Sequence, residues 1–457
     1  MKLLYQICAG LLLLPATYLW SQGDNTPAAP VPAVVGPESN ADAMLAPPPV
    51  SGESYPTVVG SEERSNYLRG GMAFTSAYTD NALGSVSGQP VSDISYSIAP
   101  FLTLDETTPR LHIISTYAPG FTFYQKISSR NETDQNAAID FEYRLSPHVT
   151  FNARDGFQKS SNVFNQPDLA SAAAVSGSAQ QANFSIIAPI ADRLSNTANV
   201  GITAQFAANG MVGASGTFTN LHYPDQAEVP GLYDSSTQGG SVFYSHRITK
   251  MHYLGATYQY QRLVAYPTGG QSETQTHAIL FFYTLYATSR FSMSFFGGPQ
   301  YSDTVQPALL PLQVQLPAAK AWNPAAGASV GWQGRLTNVA LSYSHMISGG
   351  GGLQGAVHLD SASTSIRQQI TRTFSGSVAG GYVQNDVIAG ALSGAANGHT
   401  VSGTASVQQL LGQRISLQMG YTRLHQDYSG VAVLATTPNT NREFVSISYQ
   451  FSRPLGR

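Results

Sequence analysis

The stretch Phe444-Val445-Ser446-Ile447-Ser448-Tyr449-Gln450-Phe451-Ser452, close to the C-terminus, decides the fold. Val445, Ile447, Tyr449 and Phe451 fall on one side of an extended chain, and Ser446, Ser448, Gln450 and Ser452 on the other. A strand with one apolar face and one small, uncharged face is suited to standing between hydrocarbon and water. The same period recurs upstream. Ile415, Leu417, Met419 and Tyr421 oppose Ser416, Gln418, Gly420 and Thr422. Val339, Leu341 and Tyr343 oppose Asn338, Ala340, Ser342 and Ser344, and Ile139, Phe141, Tyr143 and Leu145 oppose Asp140, Glu142 and Arg144. Two segments fit poorly: Val357–Ile370 hardly alternates, and Thr276–Tyr286 is apolar on both faces.

Working outward, the pattern fills the chain from Tyr67 to its end. Eight tight turns lie near 105–109, 145–148, 207–210, 247–250, 287–290, 334–337, 370–372 and 411–413. Nine longer connections, rich in Gly, Pro, Asn, Asp and Ser, alternate with them near 79–91, 126–135, 160–196, 224–238, 265–272, 303–322, 349–356, 387–398 and 430–440. This predicts an all-β, antiparallel, up-and-down transmembrane barrel of about eighteen strands, or sixteen, the two poor segments leaving the count open by two. Strict alternation of short and long connections predicts short periplasmic turns and long external loops, with both termini on the periplasmic side.

Composition agrees. Only 11% of the 457 residues are charged, against roughly a quarter in an ordinary soluble domain. After residue 20 there is no apolar run long enough for a membrane helix. The missing polarity is supplied by Gly, Ser, Thr, Gln and Asn, and Tyr (24) and Phe (20) far outnumber Trp (3). A net charge of -3 argues against a nucleic-acid partner. A soluble, secreted β-rich protein such as an adhesin or propeller is the competing class.

The chain opens with Lys2, an apolar core through Leu14 and a small residue at Ser21, the pattern of a cleaved signal peptide over residues 1–21. Residues 22–66, rich in Pro and Ala, form a lead expected to be disordered, and the barrel occupies 67–457. The one cysteine, Cys8, lies in the segment to be removed, so neither disulfides nor Cys-bound metal are expected. No cofactor or metal motif is present. Gly327-Ala328-Ser329-Val330-Gly331 matches the nucleophile-elbow pattern, but it sits in an alternating strand with no helix after it, and no enzyme is expected.

By strand alternation Asp140, Glu142, Arg144 and Arg154 point inward. Charge facing lipid is costly, so these residues are either an ion-pair brace of the wall or the constriction of a pore. The connection 160–196 carries Phe184, Ile186, Ile187 and Ile190 and could fold beside them.

With its closing strand ending in Tyr449-Gln450-Phe451, the chain resembles Gram-negative outer-membrane barrels of the porin type. That resemblance implies an outer-membrane location and assembly by the barrel-assembly machinery, which reads a last strand with a terminal aromatic; here six residues follow Phe451. It also implies lipid as a partner and passive diffusion of small neutral or polar solutes. Two other functions remain open: an exit for exported polysaccharide, and a structural or adhesive barrel with a closed lumen.

Overall fold

The computed structural model describes Met44 and residues 66–455, apart from 83–89, 161–191, 228–230, 268–269, 289, 306–317, 354, 389–396 and 430–438. The predicted signal peptide, nearly all of the lead, and the apolar residues of the 160–196 connection lie outside these. No helix among the described residues is long and apolar enough to cross a membrane, and the crossing elements are strands.

The first strands are β1 (Tyr67–Thr79), β2 (Asp93–Thr107), β3 (Leu111–Tyr117), β4 (Gly120–Tyr124), β5 (Glu132–Ser146), β6 (Val149–Ser160) and β7 (Arg193–Ala207). Next come β8 (Gly210–His222), β9 (Ser235–Arg247), β10 (His252–Ala265), β11 (Ser272–Thr288), β12 (Phe291–Val305) and β13 (Ala319–Gln333). The last are β14 (Thr337–Gly349), β15 (Ala356–Gln369), β16 (Phe374–Val387), β17 (Gly398–Leu410), β18 (Ile415–Tyr428) and β19 (Asn439–Pro454). Segments β3 and β4 are two halves of one stave. Both pair with β2 on one side and β5 on the other, and the ladder breaks at Pro119, which has no N–H to donate.

The result is a closed antiparallel barrel of eighteen staves. Each stave pairs with its sequence neighbours, and β1 closes the ring on β19 from Tyr67↔Pro454 to Thr79↔Arg442. Every short turn and long connection read from the sequence falls between the strands it was expected to join. β-Bulges interrupt the register at Arg144/Ser146, Gln205/Ala207 and Tyr286/Thr288, each one step before a short turn, where a bulge lets a strand twist into its hairpin.

Closure explains the strand chemistry. A ring of strands satisfies every backbone group internally, so its outside can face hydrocarbon. The outward residues are accordingly exposed and apolar: Met72, Phe74, Ile98, Ile139, Val200, Leu254, Phe281, Leu341, Ile415 and Ile447 among them. The adhesin or propeller alternative does not fit this surface.

Candidate functional site

The interior is the candidate site, a polar lining interrupted by a buried apolar cluster. Along β1–β7 and β15–β19 the inward residues are mainly Ser, Thr, Asn and charged groups. Asp140 and Arg154 stand directly opposite one another on β5 and β6, with Arg154 Nε 3.4 Å from Asp140 Oδ1. Both side chains keep 22–23% exposure, so neither is sealed within the wall. On the same face, two and four residues nearer the short turn, Glu142 and Arg144 pair through Oε1 and Nε at 3.4 Å. The β3–β5 register sets His112 beside Glu142, and the His112 ring lies 3.2 Å from buried Asp105. Thus all four charged residues singled out in the sequence share one inner face in the short-turn half of the barrel. Tyr449 and Phe451 face outward on β19, with Phe451 opposite Gly70 of β1.

A cluster on β11–β14 corrects the expectation of a uniformly small, polar lumen. Inward Ala278, Leu280 and Phe282 of β11, Phe296 of β12, Ala325 of β13 and Met346 of β14 form an almost fully buried cluster, with Phe243 of β9 packed against it. The sequence signal was present in Thr276–Tyr286, where Phe281 faces lipid and Phe282 faces the interior. Glycines on adjacent strands make room for these rings. A Cβ on Gly327 would lie 2.2 Å from the Phe296 ring, and one on Gly255 would lie 2.3 Å from Phe282 and 2.2 Å from the Tyr244 carbonyl oxygen. A ring laid over a cross-strand glycine covers backbone that would otherwise be poorly packed.

A second correction concerns the connection near 349–356, read from the sequence as an external loop. The β13–β14 ladder stops at Ala326↔His345, so residues 319–325 of β13 have no β14 partner in it. Beyond this point β14 leaves the wall and turns into the barrel. Ile347 donates its N–H to Gln300 Oε1 of β12 at 3.1 Å and packs with Leu263 of β10 and Ala356. At the tip, Gly351 and Gly352 adopt φ of 62° and 110°, a region that favours glycine. Tyr223, just past β8, covers them: its hydroxyl donates to the Gly351 carbonyl at 3.2 Å, and a Cβ on Gly352 would lie 2.8 Å from that hydroxyl. The Tyr233 N–H donates to the Gly352 carbonyl at 2.7 Å. Around this clasp, Tyr223, Leu232, Leu353, Val357, Leu359 and Tyr428 make a buried apolar core that joins β8, β15 and β18. Burial pushes the Tyr223 phenol pKa above its ordinary value, with the neighbouring Arg193 guanidinium acting against that shift. The glycine run 349–352 carried the signal, but nothing in the sequence says which side of the wall it serves.

At the short-turn end, Met44 also lies inside. Its side chain is buried with Met211 and Tyr253 against Phe243 and Tyr286, and its N–H donates to Gln205 Oε1 at 3.0 Å. The Gly327–Gly331 stretch is mid-strand in β13, with Ser329 opposite Ser342 and Ser294, so the strand-to-helix turn that a nucleophile elbow needs is absent from this segment.

A closed up-and-down barrel with an apolar outside is the architecture that Gram-negative outer-membrane barrels have. Among solved structures the chain is similar to the outer membrane protein OpdK of Pseudomonas aeruginosa, at 7% identity and TM-score 0.38, covering 84% of this chain and 99% of that one. It is also similar to OccAB4 of Acinetobacter baumannii, at 8% identity and TM-score 0.39, covering 84% and 98%. The ferric citrate transporter FecA matches at 9% identity and TM-score 0.43; 82% of this chain is covered, but only 63% of the transporter's length. No family model and no curated protein matches the sequence.

Proposed function

We propose that the chain is a transport barrel of the outer membrane, a narrow diffusion channel for small solutes that present both a polar edge and an apolar face. The observation that carries this reading is the in-turned end of the β14–β15 hairpin. It packs inside the barrel against Tyr223, Leu263 of β10 and Gln300 of β12, in an interior that also holds ion pairs and a phenylalanine cluster. An eighteen-stave ring is otherwise wide enough for an aqueous channel, so what lies inside sets what passes. A polymer exit is less well supported, because the hairpin occupies the path. On the same reading Asp140, Glu142, Arg144 and Arg154 line the route. Recognition of the strand ending in Tyr449 and Phe451 by the assembly machinery, and export by a cleaved signal peptide, belong to this proposal.

The test is planar-bilayer conductance of the purified barrel and of a variant lacking residues 350–355. Small, stable steps are expected from the whole chain and larger ones from the variant. Silence from both would sink the channel and leave a structural barrel with a closed lumen.

A further inference from the structure

The short-turn rim carries a pattern that neither the lumen nor the fold explains. At seven of the eight short turns stands an exposed cation: Arg110, Arg144, Lys250, Arg290, Arg335, Arg372 and Arg414. Arg453, exposed near the end of β19, adds another at the same level. Only Glu106 is an exposed carboxylate among the described residues of these turns, and among the described residues Arg144 alone of these cations forms an ion pair, with Glu142. The long-connection end is mixed instead: Asp80, Asp93, Asp234, Asp360, Asp386 and Asp427 lie at or near the strand ends, and its Lys159, Arg262 and Lys320 are paired with Asp192, Glu273 and Asp303. The rim is therefore a ring of positive charge about the barrel axis.

The turns carry a second feature that decides what the ring meets. Leu336 (52% exposed), Ile370 (58%) and Leu411 (58%) stand in the same turns as Arg335, Arg372 and Arg414. Leu145 is adjacent to Arg144, and Ile248 and Met251 flank Lys250, all exposed. Bulky apolar side chains at the tips of water-washed turns would be unfavourable. They extend the lipid-facing band down to the turns, so the cations sit at the depth of headgroups rather than in bulk water. Arginine and lysine suit that depth, because their stems lie along the apolar surface while the charge reaches the interface.

We infer that the short-turn rim is a binding surface for anionic phospholipid headgroups of the leaflet on that side. A soluble acidic partner would account for the cations but not for the apolar residues beside them. A neutral leaflet would account for the apolar residues but not for the near-absence of carboxylates. Attraction of exposed cations to a charged surface is screened over roughly 8 Å at physiological salt, so the effect should weaken at high ionic strength.

The experiment uses the full barrel and K250Q/R335Q/R372Q/R414Q, each folded into vesicles of phosphatidylcholine alone or with one part in three phosphatidylglycerol. Two quantities are read: the thermal unfolding midpoint, and which lipids stay on the protein on extraction. The wild type should unfold several degrees higher in the anionic vesicles, retain phosphatidylglycerol in preference, and lose both gains in molar salt. The variant should match the wild type in phosphatidylcholine, which shows that it folds, and gain little from phosphatidylglycerol. Equal midpoints and unselective retention for the wild type would overturn the inference. So would a variant that keeps the full gain. Soluble polyglutamate raising the wild-type midpoint in neutral vesicles as much as phosphatidylglycerol does would also overturn it, in favour of a soluble acidic partner. None of these readouts depends on whether the lumen conducts.

Discussion

Asp140 and Arg154 show how one alternation sorts charge in a barrel wall. Each stands one residue from an outward position, so a slip of one would drive both into lipid; their register is held by Ile139↔Asp155 and Phe141↔Ala153 on either side. At 3.4 Å, and about a quarter exposed, the pair contributes on the order of 0.2–1 kcal/mol, too little to hold the wall. On the proposed channel reading, its greater influence is on passing ions. Arg154→Gln should leave the unfolding temperature nearly unchanged and move the reversal potential in a salt gradient towards cations, whereas Asp140→Asn should move it towards anions. Unmoved potentials with a clear loss of stability would make the pair a brace. The inward direction of these residues was legible from period two alone. Their partners were not, because cross-strand pairing depends on register, which the turns and bulges set.

At the scale of the element, the β14–β15 hairpin is where sequence and structure part. Val357–Ile370 alternates weakly because β15, although laddered to β14 and β16, turns Val357 and Leu359 inward to pack against the in-turned tip. Tyr223→Phe removes the hydroxyl bond to Gly351 and keeps the ring packing. The clasp should loosen by about 1 kcal/mol, a roughly fivefold gain in the undocked hairpin, read as raised open probability in single-channel records. The phenol also makes the clasp sensitive to alkali. Its pKa is raised when docked, so its contribution is fully present below the ordinary tyrosine value of about 10 and is lost as pH rises through the docked value. Wild-type conductance should therefore climb above pH about 10, and Tyr223→Phe should flatten that rise. Identical profiles for the two proteins would remove Tyr223 from the clasp.

At the scale of the molecule, stability is a property of closure. The thirteen paired positions between β1 and β19 join the two ends of the chain. Without them two long edges would face hydrocarbon, where each unsatisfied backbone group costs several kcal/mol. Deleting residues 439–457 should therefore abolish the folded form that resists detergent until heated, as seen by the loss of its gel mobility shift. A truncated chain that still shows the shift would mean that closure does not hold the barrel. The amino-acid sequence by itself determined the strand order, the alternation of short turns and long connections, the face of each regular strand and the inward direction of the charges. All of these follow from period-two chemistry and turn residues, which act within a few positions along the chain. Only the tertiary structure decided that one hairpin turns into the lumen, that an apolar cluster gathers on the inner face of β11–β14, and that the turn cations assemble into a ring. Those features join residues brought together by the curvature of the closed wall, and a linear pattern carries no record of what stands across it.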